Sequence, residues 1–352
     1  MLEDKNPDLT PIAAYGEFGL IKHLTENFPV GNASTEISIG DDAAVIDPAG
    51  QKVVITTDVL AEGVHFNLGY VPLKHLGYKA VVVNVSDIAA MNAVPTQILV
   101  SLAVSSRFPV EALEEIYAGI SLACKYYKID LVGGDTTSST SGLVLTITAI
   151  GLEQSENIVT RKGTKPNDLL VVTGDLGGAY TGLQILEREH SVFLANPNMQ
   201  PEMEGYDYIL ERQLKPEART DIKKTLAELD IKPTSMIDVS EGLSSETLHL
   251  SDQSKVGFRI YEEKIPLDSL TISTAEELNL NPVMCALSGG EDYELLFTIS
   301  PSDFEKIKNH PDFTVIGHAV DLDQGNYLVA RGSNELVALN AQGWDAFLNK
   351  GN

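Results

Sequence analysis

The chain has little with which to cross-link, anchor or attach itself to a polyanion. Its two cysteines, Cys124 and Cys285, have neither the number nor the spacing of a disulfide framework or a thiolate metal site. Both read as buried free thiols, which fits a reducing cytoplasm. No run approaches the roughly 20 apolar residues of a membrane span. The opening stretch mixes Glu3, Asp4, Lys5, Asp8 and Glu17 with scattered apolar positions, so no signal peptide is expected. Basic residues are scarce, with 25 Lys and Arg against 50 Asp and Glu and a net charge of -25. That balance excludes nucleic acid or an anionic membrane surface as a partner, since both need a basic footprint. There is no GxxxxGK[ST] loop, no short-period repeat, no low-complexity tract, and no persuasive Ser-His-Asp or Cys-His nucleophile.

What the chain does have is acid, set repeatedly against apolar runs. The stretch from Ile39 to Phe66 holds Gly40-Asp41-Asp42 after one short β-like run and Thr56-Thr57-Asp58 after another. Ala80 to Val85 leads into Ser86-Asp87, and Ile129 to Val132 into Gly133-Gly134-Asp135. Leu169 to Val172 leads into Thr173-Gly174-Asp175, and Met236-Ile237-Asp238 is followed by Ser240-Glu241. A single such Asp is ordinarily an N-cap for the next helix. Several together, with Gly, Ser and Thr beside them, point to carboxylates gathered from separate elements, which repel one another unless a cation lies between them. Hard oxygen donors of this kind suit Mg²⁺. Bound Mg²⁺ would also turn an acidic protein into a receptor for phosphate.

At 352 residues, 43% of them hydrophobic, the chain has the material for two domains. Helical spacing is expected in residues 11–28, 109–127, 180–189, 215–229 and 243–250, with helical pieces at 72–80 and 88–91 around a strand-like 81–85. Strands are expected at 97–104, 143–152 and 295–299, among others. The alternation gives a mixed α/β or α+β class. Hydrophobicity falls across residues 153–166, where a domain boundary is placed, and residues 190–212 read as an acidic surface insertion.

Taken in order, GEF at Gly16, IGDDAA at Ile39, TTD…GVHF at Thr56, KAVVVNVSDIAAMNAVP at Lys79, LVGGDTT at Leu131, TRKG at Thr160, VTGDLGGA at Val172, IDVSEGL at Ile237 and SGGEDYEL at Ser288 resemble the motifs of the thiamine-monophosphate kinase family. That family belongs to the superfamily that also contains aminoimidazole ribonucleotide synthetase and selenophosphate synthetase. The resemblance implies a two-domain aminoimidazole ribonucleotide synthetase-like fold. Residues 1–158 would form the ATP- and Mg²⁺-binding domain, whose sheet pairs across a homodimer. Residues 159–352 would form an α/β domain that completes the substrate cleft. It implies ATP-dependent phosphorylation of thiamine monophosphate to the diphosphate by direct phosphoryl transfer with several Mg²⁺ ions, in the cytoplasm.

By the same resemblance the metal ligands fall on Asp42, Thr56, Thr57, Asp58, Asp87, Asp135, Asp238 and Glu241, with Asp41 shaping its turn. ATP contacts fall on Tyr117, Gly134, Asp135, Arg161 and Ser240, with Arg161 as charge stabiliser and no covalent nucleophile. Substrate contacts fall on His65, Glu291 and Trp344. The family's DxSD is Asp238-Val239-Ser240-Glu241 here, which carries one carboxylate a methylene further out. Read from the residues alone, His65 can be structural, Arg161 a surface ion pair, Tyr117 core, Glu291 a turn carboxylate and Trp344 an anchor for the C-terminus. Two other functions stay open on the residues: a sister enzyme with a different acceptor, and a divalent-ion-binding module without turnover.

Overall fold

A computed structural model describes residues 9–39 and 44–340. The chain divides into two compact units, one running to Ile88 and resuming over Val94–Ser155, the other comprising Ala89–Ala93 and the chain from Glu156 onward. Among the described residues no helix is long and apolar enough to cross a membrane.

The first unit follows the order α1 (Gly16–Thr25), β1 (Thr35–Ile37), β2 (Val45–Ile46), β3 (Lys52–Ala61), α2 (Leu73–Ala90), β4 (Val94–Val104), α3 (Val110–Tyr127), β5 (Asp130–Ser138) and β6 (Val144–Glu153). The strands β3, β6, β4 and β5 form one sheet in that order, with β4 and β5 parallel and the other pairs antiparallel. Helices α2 and α3 touch backbone to backbone: a Cβ on Gly77 would lie 2.0 Å from the Ile116 carbonyl oxygen, and one on Gly119 would lie 1.9 Å from that of Lys74. Only glycine permits so close a crossing.

Three expectations are corrected in this unit. Val81 to Val85 is not a strand but the middle of the continuous helix α2. Val81, Val82, Val83 and Val85 are all buried, and this tertiary burial outweighs the modest helix penalty of β-branched residues. Asp87 therefore sits in the last turns of a helix, not at a strand end. Thr56-Thr57-Asp58 and Asp135 also lie inside strands, because β3 runs on to Ala61 and β5 to Ser138.

The second unit contains β7 (Leu169–Thr173), α4 (Gly178–Ala195), α5 (Asp207–Leu214), α6 (Asp221–Glu228), β8 (Ser235–Asp238), α7 (Leu243–Ser254), β9 (Gly257–Tyr261), α8 (Ser269–Glu277), α9 (Pro282–Ser288), β10 (Leu295–Ile299), β11 (Phe313–Val320), β12 (Asn326–Val329) and β13 (Leu336–Ala338). Its seven-stranded sheet has the order β13-β12-β9-β11-β7-β10-β8 and is antiparallel except between β12 and β9. The sheet is buried on both faces, as the period of two requires. Leu170, Val172, Ile237 and Leu296 pack with Leu243 and Leu250 of α7, whereas Val171, Met236 and Phe297 pack with Ile222 and Leu226 of α6. Residues 190–212 lie largely at the surface, as expected, but they are not without structure: α4 extends to Ala195 and α5 buries Ile209. The architecture is mixed α/β.

Candidate functional site

In the first unit the site starts from strand alternation. On β3 the side chains of Val53, Ile55, Thr57 and Val59 are exposed, while Thr56 and Asp58 lie half-buried on the opposite face. That face meets α2. Because β3 is the edge of the sheet, its outward backbone groups need partners, and the Asp58 N–H finds one in Asn84 Oδ1 at 3.0 Å. Asn84 is fully buried and its amide donates in turn to the Ala80 carbonyl. Three residues along the same helix face, Asp87 Oδ2 accepts from the Thr56 hydroxyl at 2.5 Å. Asp58 and Asp87 are thus neighbours whose charges interact. Burial, and then the Asp87 charge, push the Asp58 carboxyl up to about 6.

This is the test for a cation. Two carboxylates and a hydroxyl held together at a cost in ionisation are the donor set that a hard divalent ion takes, so Mg²⁺ fits these residues. Among the described residues no three His, Cys, Asp or Glu side chains are gathered closely enough to hold a metal by themselves. Asp42, the expected neighbour, lies outside the described residues, as does Trp344. Thr57 projects from the face of β3 opposite to Thr56 and Asp58, where its hydroxyl contacts the Ile147 carbonyl and Thr148 Oγ1 at 3.1 and 3.0 Å.

Asp135 is exposed on β5, opposite Ser101 of β4 in the register. Gly134 before it has φ +154°, and a Cβ there would lie 1.8 Å from the Val100 carbonyl oxygen, so no other residue fits. Tyr117 is 7% exposed within α3, and burial pushes its phenol up to about 12 against a hydrogen bond with Thr136. It belongs to the core next to Asp135. His65 is exposed, with Nδ1 accepting from the Ala61 N–H at 3.1 Å. A neutral ring must then carry its proton on Nε2.

In the second unit Asp238 closes β8, almost fully buried, and Ser240 and Glu241 follow in the turn to α7. Glu246, which motif reading did not single out, reaches back from the first turn of α7 to accept the Glu241 N–H at 2.9 Å, in the manner of a capping box. Burial pushes its carboxyl up to about 8 against the pull of that N–H bond; the Asp238 and Glu241 charges add to the rise while Arg161 also opposes it. The exposed Arg161 is therefore the local counter-charge to this acidic turn. A Glu three or four positions after a glycine-led turn into a helix is the signal that could have found it.

Against that turn lies the loop from Gly290 to Glu294. Glu291 and Tyr293 take positive φ values of 60° and 53°, and Gly290 takes 73°. The conformation is held by the Glu291 N–H on the Ser240 carbonyl at 2.7 Å and the Tyr293 N–H on that of Val239 at 2.9 Å. Buried Asp292 accepts from the Gly177 N–H at 2.8 Å. Arg212 Nη1 and Arg219 Nη1 both donate to Glu294, at 3.0 and 2.8 Å. Arg212, Gln213, Arg219 and Glu294 were not singled out by sequence, because each is an ordinary polar residue until packing puts it beside this loop.

Residues 40–152 match the family described as AIR synthase related protein, N-terminal domain. The thiamine-monophosphate kinase of Bacillus subtilis is 34% identical over 94% of this chain and 99% of its own length, and that of Escherichia coli K12 is 33% identical over 95% and 99%. The solved structure of AaThiL complexed with AMPPCP and TMP superposes with a TM-score of 0.72 at 31% identity, covering 96% of this chain and 98% of that one. With this likeness running from end to end of the enzymes compared, the chain belongs to the thiamine-monophosphate kinase family.

Proposed function

We propose that this protein phosphorylates thiamine monophosphate to thiamine diphosphate with ATP as donor, by direct in-line transfer assisted by several Mg²⁺ ions. The observation that carries the reading is the Thr56, Asp58 and Asp87 cluster, whose raised Asp58 needs a counter-charge. Support for the substrates comes from relatives named for this reaction and from a neighbour solved with an ATP analogue and TMP. Thr56, Asp58, Asp87 and Asp135, with Asp42 and Thr57, would hold Mg²⁺ in the first unit; Asp238 and Glu241 would do so in the second. When bound, the ions offset the charge of the polyphosphate and of the transferring group.

The chain's own residues do the rest. The acceptor phosphate monoester, with a second pKa of about 6, is largely dianionic at neutral pH, so no strong general base is required. Arg161 stabilises charge on the transferring group, and Gly134 lets the backbone approach the nucleotide closely. Glu291 and His65 contact the acceptor, with Glu291 as counter-charge to the thiazolium ring. Tyr117, Ser240 and Trp344 complete the nucleotide and substrate contacts. The assignment divides labour between residues 1–158 and 159–352, and places the enzyme in the cytoplasm. The exposed row Val53, Ile55 and Val59 on the edge strand, at 46, 64 and 49% exposure, supports a homodimer formed on this sheet.

The test is incubation with ATP, Mg²⁺ and thiamine monophosphate, with thiamine diphosphate and ADP followed by chromatography and Asp58→Ala as control. Equal amounts of both products, absent in the control, are expected. ATP binding without ADP formation would point to another acceptor, and no ATP binding would point to a non-catalytic ion-binding protein.

A further inference from the structure

The acidic stretch before Leu214 has no role in the reading above, yet it delivers two polar side chains, half-buried Arg212 and buried Gln213, to the Gly290–Glu294 loop. Helix α5 is fixed against α4 where a Cβ on Gly182 would lie 2.0 Å from the Ile209 carbonyl oxygen. With Ile209 fully buried at that contact, its neighbours three and four positions on, Arg212 and Gln213, must face inward. Arg212 holds the loop's backbone and its far end, donating to the carbonyl oxygens of Asp292 and Asp175 at 3.3 and 2.9 Å and to Glu294 at 3.0 Å. Gln213 Nε2 donates to Glu291 Oε2 at 2.8 Å. An ionised carboxylate only accepts, so the Gln213 amide must present its NH₂ group.

We infer that Gln213 is a positioning residue for the substrate acceptor: it orients the Glu291 carboxylate without neutralising it. The inference rests on the reading of Glu291 as counter-charge to the thiazolium ring. A Lys or Arg at this position would hold Glu291 equally well but would cancel the charge a cationic ring requires. A neutral donor fixes direction and adds no opposing charge of its own. The backbone beneath is already committed, since Glu291 and Tyr293 occupy the left-handed region that non-glycine residues avoid. Rotation of the side chain is the freedom that remains, and Gln213 restrains it.

The experiment compares Gln213→Met, which keeps length and removes the donor, with Glu291→Ala and the double variant, measuring kcat and both KM values. For Gln213→Met, KM for thiamine monophosphate is expected to rise roughly tenfold, the scale of one hydrogen bond to a charged group. KM for ATP and kcat are expected to stay within about twofold, and the double variant to be no worse than Glu291→Ala alone. An unchanged acceptor KM in Gln213→Met beside a raised one in Glu291→Ala overturns the inference and leaves the underlying reading intact. So does a fall in kcat with no change in acceptor KM. An unchanged acceptor KM in Glu291→Ala overturns the reading of Glu291 itself. If the methionine variant does not fold, Gln213→Leu, which also lacks the donor and adds no charge, carries the same test and is expected to raise the acceptor KM.

Discussion

The Thr56 hydroxyl donates to Asp87 Oδ2 at 2.5 Å, joining the edge strand of the first sheet to the last turns of a helix 31 residues later in the chain. The contact orients Asp87 toward the Asp58 side of β3. It also holds a carboxylate whose charge adds to burial in disfavouring ionisation of Asp58, a cost that a bound cation would offset.

Asp87→Asn should therefore separate stability from activity. Asparagine keeps an oxygen to accept from Thr56 and removes the charge facing Asp58. Turnover is expected to fall at least about a hundredfold, in line with the several kcal/mol a hard-cation ligand supplies. Unfolding free energy measured without divalent ions should stay within about 1 kcal/mol of the native value or exceed it. Native turnover in the folded variant would count against a ligand role.

Glu241 stands where the motif resemblance implies an Asp, one methylene further from its backbone. Glu241→Asp should retain activity, while Glu241→Ala should shift the Mg²⁺ titration to higher concentration, because octahedral Mg²⁺ tolerates little displacement of its ligands. An unchanged titration in Glu241→Ala would refute ligation.

The crossing of α2 and α3 is expected to fail with one added methyl. Gly77→Ala would set a Cβ 2.0 Å from the Ile116 carbonyl oxygen, and the helices, which also present Asn84 and Asp87 to β3, would have to part. A loss of about 3 kcal/mol or more is expected in urea unfolding. Gly50→Ala, with φ +82° but nothing within 4 Å, should cost only about 1 kcal/mol, which makes it the control for backbone strain alone.

His318 gives the fold a pH dependence of known sign. Burial, then Arg259 and Lys264, hold its imidazole below the ordinary 6.5. The unfolded chain therefore binds this proton more readily, so stability is complete above about pH 6.5 and declines as pH falls below it. His318→Phe keeps a ring to stack on Tyr261, whose centroid lies 5.9 Å away, and should flatten the decline in thermal unfolding below about pH 6.5. An unchanged slope would remove His318 as its source.

Much of the fold was legible in residue periodicity. The expected strands around 97–104, 143–152 and 295–299 correspond to β4, β6 and β10, and the helix at 109–127 corresponds to α3. Val81 to Val85 was misread because a continuous apolar run reports burial and not backbone geometry; the helix pattern is erased when every face is buried. Residues 190–212 are largely exposed, as their polarity implies; what that polarity hides is helix α5, whose Ile209 is buried.

The sequence by itself determined the chemical type of this protein: a net charge of -25, oxygen donors without thiolates, and a series of acid-bearing motifs whose order identifies the family. Only the tertiary structure decided which of those acids meet. Asp58 and Asp87 are neighbours because α2 bonds to the edge strand through Asn84 and Asp87, and Gln213 reaches Glu291 across 78 residues of chain because two helix backbones touch at Gly182. Local sequence encodes which side of an element is buried. What it is buried against depends on contacts between segments far apart in the chain, and those form only in the folded protein.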